Sequence, residues 1–220
     1  HPYASFIMPT LSQAVEVYHT KPALFYVPKQ NALGVYNEDY GDALYMIEER
    51  TDSGHGDKES FGFSNELIST DDVLKKLNKD EDFVIDEEAY IRARLFDMLI
   101  GDWDRHEDQW RWASFKKENG TKVYKPIPRD RDQAFSIFDG TILGFLRCAV
   151  PSLRMMQSFD TELPSPKWFS FEPYPLDMEL IQEADKSDWD DQVKHIQENI
   201  TDAVIEKAFL NIPQEVRDET

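Results

Sequence analysis

The strongest constraint on what this chain can fold into is a fold-back near its middle. Residues 110–117, WRWASFKK, and 121–129, TKVYKPIPR, are rich in aromatic and branched side chains, and Asn119-Gly120 lies between them. Asn-Gly readily adopts the positive φ angles of a tight turn, so the two runs are predicted to pair as a β-hairpin. Charged clusters bracket this hairpin. Before it stands GDWDRHEDQWRW (101–112), with four carboxylates, two arginines, one histidine and three tryptophans in twelve positions; after it comes RDRDQAF (129–135). Asp104 and Asp130 are 26 residues apart, yet a hairpin returns the chain beside its start. Their carboxylates are therefore expected at one mouth of the ribbon.

The rest of the chain reads as α+β. Residues 9–19, PTLSQAVEVYH, put Leu11, Ala14, Val15 and Tyr18 on one helical face, with Pro9 in the first turn. ALFYVPK (23–29) and ALYMIEER (43–50) read as strands joined by a long connection. The segment 51–66, TDSGHGDKESFGFSNE, is polar and rich in Gly and Ser, which makes it a loop or linker and the best internal boundary. Ser69-Thr70-Asp71-Asp72 offers a capping box, and Asp86 a cap for EEAYIRARLFDMLIG, which Gly101 ends. On that helix Ile91, Leu95, Met98 and Leu99 are expected to line one face, with Ala89 and Phe96 beside them. One long helix is expected over 190–210, with Ile196, Ile200, Val204 and Phe209 in the core. The predicted order is thus a strand-bearing part over 1–50, a loop over 51–66, and a mainly helical body over 67–220 that holds the hairpin.

Composition removes several classes of function. A net charge of −19 argues against nucleic acid and anionic membrane surfaces, both of which demand a basic face. No run approaches the roughly twenty apolar residues of a membrane span. The chain opens at HPYASFIMP without a methionine, as expected of a mature form or an excised piece. The single cysteine, Cys148, leaves no internal disulfide and no multi-thiolate metal site, and its apolar neighbours point to a buried thiol. There is no G-x-S-x-G and no H-E-x-x-H. GDWDR echoes the G-D-x-x-D-R-G of calcineurin-like phosphoesterases, but it is one residue short and lacks the D-x-H and G-N-H-E that accompany it. A metal-dependent phosphoesterase is accordingly the third-ranked reading.

Paired carboxylates with an amide oxygen nearby are the hard donors that Mg²⁺ or Mn²⁺ takes. An aspartate at a helix end, an amide five residues on, a hairpin and a second aspartate also form the layout of kinase-fold phosphotransferases. Through Asp104-Arg105-His106 and the D-x-D-x-A-F run of Asp130 to Phe135, the chain resembles the atypical branch of that fold: HipA-type, CotH, type II phosphatidylinositol 4-kinase and secretory-pathway kinases. In particular it resembles a kinase-like segment of large Bacteroidetes cell-envelope proteins that also carry a calcineurin-like phosphoesterase region and an outer-membrane barrel. That likeness runs from HPYA through RARLFDMLIGDWDRHEDQWRW to PIPRDRDQAF and TDAVIE.

The resemblance implies a protein-kinase-like fold, with a partial N-terminal lobe over 1–50, a hinge over 51–66 and a C-terminal lobe over 67–220. It also implies ATP and Mg²⁺ or Mn²⁺ as cofactors, a cell-envelope location, and further domains of a larger polypeptide as partners. Asp104 matches the catalytic aspartate, with Arg105 and His106 completing its loop. Asp130 matches the metal aspartate; Gln109 stands in place of the usual asparagine; Asp132 stands where many relatives have glycine, able to share the cation or to pair with Arg105 or Arg131. The strand ending in MIEER matches the hinge, where Glu48 and Glu49 would meet a nucleotide, and Glu16 is the candidate partner for a strand lysine. The chain departs from the family in having no G-x-G-x-x-G and no V-A-I-K-type lysine. In the relatives a lysine-bearing strand lies upstream of HPYA, which implies that the chain starts inside the domain. The alternative reading is a non-catalytic structural or interaction module. For single residues the structural alternatives are a capping or pairing role for Asp102, a salt-bridge anchor at Arg105, a loop scaffold at His106, and packing for Trp103, Trp110 and Trp112.

Overall fold

The computed structural model describes residues 3–138 and 140–217, without the side chains of Ile142 and Cys148, so the thiol expected to be buried lies outside the described residues. In chain order the elements are α1 (Ala4–Ala14), β1 (Ala23–Val27), α2 (Asn37–Tyr40), β2 (Ala43–Ile47), β3 (Leu67–Ser69), α3 (Thr70–Leu77), β4 (Phe83–Ile85) and α4 (Glu87–Ile100). They continue with β5 (Trp110–Lys116), β6 (Lys122–Pro128), α5 (Thr141–Ala149), α6 (Pro166–Phe169), α7 (Tyr174–Leu180), α8 (Lys186–Asn199), α9 (Asp202–Phe209) and α10 (Gln214–Arg217). The fold is α+β with two separate small sheets.

The predicted hairpin is the centre of the larger sheet. β5 and β6 pair antiparallel from Trp110↔Pro128 to Lys116↔Lys122, and Gly120, at φ +96°, makes the turn. Two short strands that the sequence reading left out extend it to four, in the order β3-β5-β6-β4, with β4 parallel to β6. Strand alternation then sorts the side chains. Trp110, Trp112 and Tyr124 share one face, where Tyr90 of α4 lies tilted against Trp110 at a centroid distance of 5.0 Å and stacks on Trp112 at 5.8 Å. Ala113 and Ile127 face the other way and pack with Phe61 and Leu67. Each fully buried aromatic here is worth about 2–3 kcal/mol of hydrophobic stabilisation, so this sheet and α4 anchor the molecule. Segment 51–66, polar as it is, is packed on the sheet: Phe61 is buried, and Ser64 bonds Ser114 through both backbone groups.

Three expectations need correction. The first helix begins at Ala4 and not at Pro9, which lies inside it. Burial of Ala4, Ile7, Met8 and Leu11 along one stripe outweighs the hydrogen bond that the proline ring removes. The helix expected over 190–210 is two, because Thr201 leaves helical geometry to cap α9 through Val204 N–H. On α4, Leu99 is 46% exposed, whereas Tyr90, Ala93, Arg94 and Asp97 form the buried i, i+3, i+4, i+7 stripe. That buried stripe contains two charges, and the candidate site depends on them.

The β1–β2 ribbon is different in kind. It is a two-stranded sheet with Phe25, Tyr26, Leu44 and Met46 all about half exposed, stitched at its connected end by Tyr26 and the Lys29 amide donating to Asp42. Two strands without a covered face are marginal in water. Its amides are therefore expected to exchange with solvent at least about 100-fold faster than those of β5–β6, through local opening. Equal protection in a native-state hydrogen-exchange experiment would contradict this.

Candidate functional site

Helix α4 ends at Gly101, whose φ of +72° lets the chain turn back so that Asp102 N–H meets Asp97 C=O at 2.9 Å. The loop that follows is fixed from beneath by Arg105, which is completely buried. Its Nε donates to Asp97 Oδ2 at 3.0 Å, its Nη2 to Asp97 Oδ1 at 3.3 Å and also to Asp102, and its Nη1 to the Arg129 carbonyl at 2.6 Å. Arg105 thus holds the start and the return of the hairpin together. The second loop sends Arg131 to the same carboxylate, Nη1 to Asp97 Oδ1 at 2.8 Å. Arg94 adds a third guanidinium, bonding Asp97 at 3.2 Å and Asp177 at 3.0 Å. Three guanidiniums therefore converge on Asp97. Above them, Trp112 Nε1 donates to Thr70 Oγ1 (3.1 Å), which donates to the Glu107 carbonyl (2.8 Å), pinning the far side of the first loop.

Burial pushes the Asp102 carboxyl up to about 7, with Arg105 and Arg131 opposing and the Asp97 charge adding to the rise. Between its ordinary value of 3.8 and about 7 the folded chain holds a proton that the unfolded chain has released. This group's contribution to stability is therefore present at acid pH and is lost as pH rises towards 7. Asp102→Asn should remove that slope, so the difference in denaturation midpoint between wild type and variant should shift in the variant's favour from pH 4 to 7. A difference independent of pH would contradict the shift.

On the solvent side of this network two of the expected residues, Gln109 and Asp130, are in contact. Gln109 Nε2 donates to Asp130 Oδ2 at 3.4 Å, and the Arg129 amide donates to the Gln109 carbonyl at 2.8 Å. The Asp132 carboxyl is raised by partial burial and by the charges of both Asp130 and Asp104, against the hydrogen bond from Gln133. Asp104 and Asp130 thus both lie near enough to Asp132 for their charges to act on it. Asp104 forms no hydrogen bond or ion pair among the described residues, which leaves its carboxylate open to a proton donor. Asp130 adopts φ +49°, a left-handed conformation that Asp tolerates better than most residues.

Other expected residues fall elsewhere. Arg105, expected in the catalytic set, has no access to solvent and acts as a positioning residue. Asp132 pairs with neither Arg105 nor Arg131, because Asp97 and Asp102 hold both guanidiniums. The half-exposed His106 ring makes no hydrogen bond among the described residues; only its carbonyl is used, by the Gln109 amide at 3.0 Å. Trp103, Trp110 and Trp112 are buried packing groups, and Asp102 a buried ion-pair partner. Glu48 accepts from Thr20 Oγ1 at 2.7 Å, Glu49 from the Lys21 amide and Lys58, and Glu16 pairs with Arg92 at 3.1 Å. None of these three shares a hydrogen bond or ion pair with Asp104, Asp130 or Asp132. Sequence reasoning missed Arg94, Asp97 and Asp177; a signal for the first two was present in their i, i+3 spacing on the stripe that starts at Tyr90.

Among the described residues, no three His, Cys, Asp or Glu side chains stand close enough together to hold a metal ion. The donors that are in contact, the Asp130 carboxylate and the Gln109 amide, offer the hard oxygens Mg²⁺ or Mn²⁺ accepts once the amide is turned. The crowding of like charge at Asp132 is what a cation would relieve. A cleft of about 410 Å³ at the end of α1 and a groove of about 1010 Å³ beside β4 are lined by other residues, so the acids occupy an open corner and not either cavity. Compared with known proteins, the chain matches no family model and no curated protein.

Proposed function

We propose that the chain is a kinase-like domain that transfers a phosphoryl group from ATP with the help of Mg²⁺ or Mn²⁺, in a larger polypeptide of the cell envelope. One observation supports the reading: Asp104, with no hydrogen-bond or ion-pair partner among the described residues, acts together with Asp130 on the Asp132 carboxyl, and Arg105 ties the two loops beneath them. Asp130, Gln109 and Asp132 would hold the cation, which when bound neutralises charge on the β- and γ-phosphates. Asp104 accepts the proton of the acceptor hydroxyl as its oxygen bonds to the γ-phosphorus; the bond from that phosphorus to the β–γ bridging oxygen breaks, and ADP leaves. The buried arginines keep the Asp104 loop in place and exchange no proton.

A second reading, a kinase-like fold kept as an interaction module, is favoured by the uncovered apolar ribbon of β1 and β2 and by Gln109 presenting N–H to Asp130. ADP formation from ATP, with water as fallback acceptor, separates the two. The phosphotransferase predicts ADP only with Mg²⁺ or Mn²⁺ and none from Asp130→Asn, a change that tolerates the left-handed backbone. Wild-type turnover no greater than the variant's would leave the module.

A further inference from the structure

We propose that Arg111 and Arg129 form a seat for a phosphate-bearing anion at the open end of the β5–β6 ribbon. The ladder sets the geometry. Arg111 lies opposite Ile127, and the next rung joins Arg129 to Gln109 through the 2.8 Å backbone bond, so Arg111, Gln109 and Arg129 share the sheet face away from Trp110 and Trp112. Diagonal neighbours on one face of an antiparallel pair are about 7–8 Å apart, a span over which two long side chains can reach one ligand.

Neither guanidinium forms an ion pair with a carboxylate among the described residues. Arg111 uses Nη1 on the Asp108 and Trp110 carbonyls, and the Arg129 side chain makes no hydrogen bond among the described residues. Arg111 is half-buried, and its acidity is raised first by burial and then by the Arg129 charge, with Arg50 adding and Asp108 and Asp52 opposing. Like charges held together on a molecule of net charge −19, with N–H groups to spare, are a place where an anion lowers the energy. The planar fork of each arginine matches phosphate oxygens, and two forks favour a diphosphate over a single carboxylate.

As a holder of nucleotide phosphates the seat rests on the phosphotransferase reading, and it would supply charge that the chain does not provide through a glycine-rich loop or strand lysine. As an anion seat it stands on the ribbon alone. The test is a calorimetric titration of the whole chain with inorganic pyrophosphate in EDTA, repeated with Arg111→Gln, Arg129→Gln and Asp130→Asn. Wild type should bind, and each arginine variant should bind at least about tenfold more weakly, since each loses a charge-assisted contact. Asp130→Asn should bind more tightly, because a repelling charge is gone, which is opposite to its effect on Mg²⁺-dependent ATP binding. ADP binding at least as tightly as pyrophosphate assigns the seat to a nucleotide; weaker ADP binding assigns it to a phosphorylated acceptor. No pyrophosphate binding, wild-type affinity in both arginine variants, or an equal response to sulfate overturns the proposal. Pyrophosphate binding without Mg²⁺-dependent ATP binding would keep the seat and discard the phosphotransferase.

Discussion

Arg105→Ala is expected to cost about 3–5 kcal/mol of folding free energy, the usual penalty for removing one partner from a buried ion-pair network. Asp97 and Asp102, both fully buried, would lose a guanidinium, and the Arg129 carbonyl would lose its donor. Against a typical total of about 5–15 kcal/mol, that brings a single domain close to unfolding. Arg105→Lys keeps the charge but cannot reach Asp97 and the Arg129 carbonyl together, so it should fall between wild type and alanine. Urea denaturation followed by tryptophan fluorescence reads both, because Trp110 lies 5.4 Å from the Arg105 guanidinium. A loss below about 1 kcal/mol for the alanine variant, the range of an exposed ion pair, would contradict the buried clamp.

Asp104→Asn is expected to lower phosphoryl transfer by about 10²–10⁴-fold, the range for removing a positioned general base. Nucleotide affinity should stay within about threefold, because Asp104 is assigned to the acceptor and not to the cation. Stability should hardly change, since the Asp104 carboxylate has no partner among the described residues to lose. Arg105 and Asp104 are neighbours in sequence, yet one should govern folding and the other turnover. Transfer rates at saturating ATP, together with denaturation curves, separate them. A stability loss at Asp104 comparable to that at Arg105, or unchanged transfer, would contradict the division of roles.

The features readable in the sequence are those set by local rules. Asn119-Gly120 fixes the hairpin turn, Ser69 and Asp86 cap helices through their own side chains, and Gly101 ends α4 in a left-handed conformation. The contact of Gln109 with Asp130 follows from the same hairpin. What escaped depends on partners distant in sequence. Asp97 is buried because Arg105 and Arg131, 8 and 34 residues away, bring it charge, and a periodicity count assigns such a residue to water. β4 is three residues long and becomes a strand only by lying parallel to β6. Arg111 looks like a solvent-facing charge until Arg129 is placed beside it by the ladder.

At the centre of the proposed function, Asp130 holds the divalent cation that carries the nucleotide, and Asp104 acts only on the acceptor hydroxyl. Calorimetric titration of ATP into the chain with Mg²⁺, against Asp104→Asn and Asp130→Asn, tests it most directly. Wild type and Asp104→Asn should bind with similar affinity, more tightly with Mg²⁺ than without, and Asp130→Asn should lose that Mg²⁺-dependent gain. Binding that ignores both Mg²⁺ and Asp130, or no binding by the wild type, would contradict the claim.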